Sequence, residues 1–154
     1  MRQRYHHFWA SGPGQADVHA WRDLTHDAGK LYRAFPDTIV PATLKRVVTD
    51  NNQTITFTSE GREADEWAAF KLTSTPQTFT HCTTNWEPYD LVVTAILLAA
   101  KRRLGSWIKL TSDGLWADWE PARSACIDVL GYKPADFEAA HQDFVELLDP
   151  EDRP

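Results

Sequence analysis

Pro88-Tyr89-Asp90-Leu91-Val92-Val93-Thr94-Ala95-Ile96-Leu97-Leu98-Ala99-Ala100-Lys101-Arg102-Arg103-Leu104-Gly105 is the stretch whose reading decides the fold. Pro88 opens a helix, Asp90 sits in its first turn against the positive end of the dipole, and Gly105 lies just past its end. Lys101-Arg102-Arg103 fall in the last turn, where cations favour the negative end of the same dipole. Between these ends, Leu91-Val92-Val93 and Ala95 to Ala100 are apolar on almost every side. A helix of that kind belongs in the middle of a core. The apolar run is about half the length a membrane span requires, so a buried helix is predicted rather than a transmembrane one.

Upstream, Gly12-Pro13-Gly14 and Phe35-Pro36 bracket a helix over about Ala16 to Ala34, with Trp21, Leu24, Ala28, Leu31, Tyr32 and Phe35 on one face. Ala42 to Thr49 and Thr54 to Ser59 read as strands joined through Asp50-Asn51-Asn52, an antiparallel hairpin. Glu63 to Lys71 suits either a short helix or a loop feeding a strand at Phe70 to Ser74. Thr78 to Thr83 is a further strand, with Phe79, His81 and Thr83 facing opposite to Thr78, Thr80 and Cys82. Downstream, Trp107 to Leu110 reads as a short strand ended by the turn Thr111-Ser112-Asp113-Gly114. A helix over about Trp116 to Leu130 follows, using Trp119, Ala122, Cys126, Val129 and Leu130. Pro134 opens a last helix through Phe137, Ala140, His141, Phe144, Leu147 and Leu148. The expected fold class is α+β: a small, mostly antiparallel sheet with the apolar helix at the centre and further helices packed on it. No linker interrupts residues 1–154, so a single domain is expected, with short flexible ends at about 1–4 and 149–154.

Composition agrees with a packed core: the 154 residues are 42% hydrophobic and include 7 Trp, 7 Phe and 4 Tyr. Acidic residues outnumber basic ones 22 to 16, a formal net charge of −6 that argues against nucleic acid and anionic lipid as partners. The opening MRQRYHHFWASG carries no apolar run that directs export, so a cytoplasmic location is expected, with Cys82 and Cys126 reduced and unpaired. No P-loop, dinucleotide fingerprint, HExxH or GxSxG elbow is present, and no cofactor or metal is expected.

Three constellations carry chemistry. Cys82 lies a few residues before a helix start, beside His81, Tyr89 and Asp90, where a thiolate gains from a helix N-terminus; a small buried thiol fits as well. Ser112-Asp113-Gly114 sits between a strand and a helix, a place where binding groups are mounted, and equally a simple capping turn. His19, Asp23 and His26 share a helix face, as metal ligands or as a solvated stripe. Trp86 and Trp116 flank turns and are candidates for exposed interface anchors.

From Cys82 to Trp119 the chain resembles a group of small bacterial proteins of no assigned function. The pattern is carried here by Cys82-Thr83-Thr84, Pro88-Tyr89-Asp90, Ser112-Asp113-Gly114 and Asp118-Trp119, with Thr83 where the group has Lys. The resemblance implies that these turns lie close together in space. If their flanking strands are neighbours, both turns face one region, and Cys82, Trp86, Tyr89, Asp90, Ser112, Asp113 and Trp116 are the candidate binding residues. The expected function is non-enzymatic: a protein-binding or regulatory protein with a protein partner, no nucleic acid and no membrane. The alternative is a small thiol- or carboxylate-dependent enzyme at the Cys82, Asp90 and Asp113 end of the sheet.

Overall fold

The computed structural model describes residues 5–37, 54–59, 62 and 65–145. Strand β1 (His6–Ser11) is followed by helix α1 (Val18–Ala34), β2 (Thr54–Phe57), β3 (Phe70–Thr73) and β4 (Thr80–Thr83). Helix α2 (Asp90–Leu104), β5 (Ile108–Ser112), α3 (Glu120–Leu130) and α4 (Glu138–Val145) complete the order. A three-stranded antiparallel sheet runs β4-β1-β5, and a separate antiparallel pair joins β2 to β3. The fold class is α+β, as the sequence indicates.

Helix α2 is the hub. Val92, Ile96 and Ala99 are 0% exposed, and the helix packs against α1, α3, α4 and β5. One continuous cluster of buried side chains draws on every strand and helix, from Trp9 and Leu24 to Phe70, Leu110 and Phe144. The basic end of α2 does more than face the dipole. Lys101 turns inward, and its Nζ donates to the Ile108 carbonyl at 2.7 Å and pairs with Asp143 at 2.9 Å. Asp143 also accepts the Leu110 amide, so this buried pair ties α4 to β5 through α2. Arg103 reaches Asp27 at 2.7 Å, and Tyr132 donates to the same carboxylate, which joins α1 to the chain after α3. These contacts position three helices, since each buried charge has its counter-charge and hydrogen bonds.

The largest departure from the sequence reading is β1. His6-His7-Phe8-Trp9-Ala10-Ser11 is the central strand of the sheet, with His7 and Trp9 buried and His6, Phe8 and Ala10 on the opposite face. The strands carrying the two turns are therefore not neighbours, because β1 lies between them. Other differences are local. Asp17, which accepts the Ala20 amide at 2.8 Å, caps α1 and starts it at Val18. Residues 105–107 form a tight turn, so the strand starts at Ile108 rather than Trp107, and it extends to Ser112. Pro121 stands in the first turn of α3, and the 116–119 segment before it is a separate 3₁₀ turn. Phe70–Thr73 is a strand and pairs with Thr54–Phe57. The proposed strand at 42–49, its hairpin turn, the terminal segments 1–4 and 149–154, and Leu147 and Leu148 lie outside the described residues.

Candidate functional site

The β-ladder puts His7 opposite Cys82 on one side and Ser112 on the other. Paired residues share a face of the sheet, so Cys82, His7 and Ser112 form a row beneath the start of α2. Asp90, the first residue of α2, closes the arrangement from above. His7 Nε2 lies 2.6 Å from Asp90 Oδ1, and Nδ1 lies 2.9 Å from Ser112 Oγ. Thr84 Oγ1 donates to the same Asp90 oxygen at 2.5 Å, and the Gly114 amide donates to Ser112 Oγ at 3.0 Å. A carboxylate only accepts, which fixes the proton on Nε2 in the neutral ring. Nδ1 then accepts from the Ser112 hydroxyl, and one proton arrangement satisfies every partner. The two turns thus meet, joined by an imidazole that the sequence reading did not include.

Serine, histidine and aspartate in hydrogen-bonded succession are the groups of nucleophilic catalysis. Here the His7 side chain is 0% exposed, enclosed by the edges of Tyr5 and Trp119 at 4.5 and 5.1 Å. Both ring nitrogens are occupied. A substrate has no approach to the base, and what the network does is lock β1, β5 and the start of α2 together.

The remaining candidates divide by face. Cys82 is fully buried, its thiol directed at the Ala68 carbonyl at 3.3 Å, and burial pushes its pKa up to about 12. A thiol held that way supplies almost no thiolate at neutral pH. Tyr89 is buried too, donating to the Ala68 and Thr83 carbonyls, and burial raises its phenol pKa. Asp113 turns to the other side of the sheet, where it binds His6 Nδ1 at 2.7 Å. Trp86 is half-buried, stacked on Tyr5 with ring centres 3.5 Å apart. Trp116 lies elsewhere, between the Arg123 guanidinium and the His141 ring. Asn85 and Trp86 both hold positive φ, at 53° and 65°. Non-glycine residues resist that conformation, and Tyr5 holds it in place: its carbonyl accepts the Thr84 and Asn85 amides, and its own amide donates to Asn85 Oδ1.

Gly114 is required by packing. A Cβ there would sit 2.7 Å from Cε1 of Tyr5, a ring only 1% exposed and unable to withdraw. Gly114→Ala is expected to lower stability by about 2 kcal/mol, a loss of about 6 °C in Tm. A melting curve superimposable on that of the parent protein would contradict this packing.

Two open surfaces border the start of α2 and the sheet. A cleft of about 680 Å³ runs between residues 86–94 and 117–124, with Glu87, Asp90, Asp118 and Glu120 on its walls. The second is the outer face of the β4-β1-β5 sheet. Phe79 is 68% exposed and Trp67 57%. Phe79 stacks on Phe8 at 5.3 Å, Phe8 lies 5.8 Å from His6 and 6.0 Å from His81, and Trp67 stacks on His81 at 4.7 Å. The rings form an unbroken aromatic stripe, with a recess of about 450 Å³ beside His6, Trp67 and His81. Its signal in the sequence was the alternation of His6, Phe8 and Ala10 against His7 and Trp9, set beside Phe79 and His81. The helical triplet His19, Asp23 and His26 is exposed on α1, and Asp23 faces Arg103 at 4.0 Å. No described helix is long and apolar enough to cross a membrane. No family model, curated protein or solved structure matches this chain.

Proposed function

We propose that this chain is a non-enzymatic binding protein that receives a partner protein on the outer face of the β4-β1-β5 sheet. The observation that carries the reading is the aromatic stripe of Trp67, His81, His6, Phe8 and Phe79, which no described helix covers. Isolated exposed apolar residues are ordinary, but a contiguous stripe of rings marks an interaction surface. Large, stiff aromatic side chains supply contact area at low entropic cost and anchor many interfaces. The chain's net charge of −6 and the exposed aromatic rings favour a partner segment bearing Arg or Lys. The same charge disfavours nucleic acid. The enclosed His7 and the buried Cys82 thiol count against the enzymatic alternative.

The test compares exposed positions on and off the face. Phe79→Ser combined with Trp67→Ser is expected to keep the parent Tm within a few degrees and to lose partner capture by crosslinking in the producing cells at least tenfold. Val18→Ser combined with Ile127→Ser, exposed positions on α1 and α3, is expected to retain capture. Equal capture by both double variants would refute the assignment of the face.

A further inference from the structure

We propose that His6 and His81 together form a binding site for a divalent late transition-metal ion, with water or a partner's side chain completing the coordination. This goes beyond partner docking and does not depend on it. His6 on β1 pairs with Thr83, and His81 on β4 pairs with Phe8, so the two imidazoles are diagonal neighbours on one face. Their ring centres are 6.2 Å apart, and both line the outer recess. A metal at ~2.1 Å from a ring nitrogen lies ~3.2 Å from the ring centre, so two rings sharing one ion have centres ~5–6.5 Å apart as the N–metal–N angle opens from tetrahedral to linear. The observed separation falls inside that range.

The Arg62 guanidinium that shares the recess is offset by Asp65 and Glu87, and the other neighbours suit the role. Asp113 takes the Nδ1 side of His6 at 2.7 Å. That leaves Nε2 as the ring nitrogen available to a metal, with the carboxylate orienting the ring from the other side. Trp67 stacks on His81 and limits its rotation. Among the described residues no group of three or more His, Cys, Asp or Glu is placed to hold a metal. The site therefore has two protein ligands and open positions, with Asp113 as a positioning residue. Two imidazoles suit Zn²⁺ or Cu²⁺ and not Mg²⁺ or Ca²⁺, which take oxygen ligands.

Zn²⁺ is the probe, titrated calorimetrically into tag-free protein at pH 7.5. One ion per chain is expected, with a micromolar Kd. His6→Gln and His81→Gln are each expected to weaken binding at least tenfold, and Asp113→Asn by about tenfold. The combined His19→Gln and His26→Gln variant should bind as the parent does. All these positions are at least partly exposed, so the variants are expected to fold, and an unchanged Tm without metal checks this. Absence of saturable binding below ~1 mM overturns the proposal. So does binding that survives either His6→Gln or His81→Gln undiminished.

Discussion

Ile96→Asp is expected to yield a chain that does not fold. Ile96 is 0% exposed in the middle of α2, the helix against which α1, α3, α4 and β5 all pack. Losing the aliphatic side chain alone costs about 2–5 kcal/mol, and burying an unpaired carboxylate adds several more. No cation stands near enough in sequence on that helix to help, because Lys101 is committed to Asp143. The sum matches the whole stability of an ordinary domain, about 5–15 kcal/mol. Circular dichroism and a denaturant titration measure it. A soluble Ile96→Asp protein that melts cooperatively would contradict the central position of α2.

His7→Ala is expected to cost about 3–5 kcal/mol, or about 10 °C or more in Tm. Truncation leaves a cavity between Tyr5 and Trp119 and deprives Asp90 and Ser112 of their shared partner. Asp90 is 18% exposed at its side chain and recovers some hydration, which places the loss toward the lower end of that range. Ser112→Ala removes only one hydroxyl from the network and should cost far less. A thermal melt of His7→Ala within 2 °C of the parent would show that the imidazole is not the tie.

The legible part of the fold was the part with a strong period and clear punctuation. Helix α2 was bounded by Pro88 and Gly105 and apolar all round; α1 and the alternating Thr54-Ile55-Thr56-Phe57 were equally plain. Strand β1, at His6-His7-Phe8-Trp9, has no such punctuation on its N-terminal side. Its period of two is carried by imidazoles and aromatic rings, which hydrophobicity alone scores poorly. The site depends on that strand. The turns at Pro88-Asp90 and Ser112-Gly114 meet, but through His7 on a strand between them rather than through neighbouring strands. No spacing in sequence links His7 to Asp90 and Ser112, 83 and 105 residues away. Cys82 and His81 were correctly placed on opposite faces. The face proposed for binding is the one bearing His81, and the buried Cys82 thiol lies on the other.

The position of β1 between the two turns is tested most directly by a double-mutant cycle on His7 and Asp90, using His7→Ala, Asp90→Asn and the double variant in urea denaturation. Side chains that share a buried hydrogen bond couple by about 0.5–3 kcal/mol, whereas distant ones add within a few tenths. The expected result is a coupling above 1 kcal/mol, with the double variant less destabilised than the sum of the single ones. Simple additivity would mean that His7 and Asp90 do not touch, and would contradict the placement of β1 and of everything built on it.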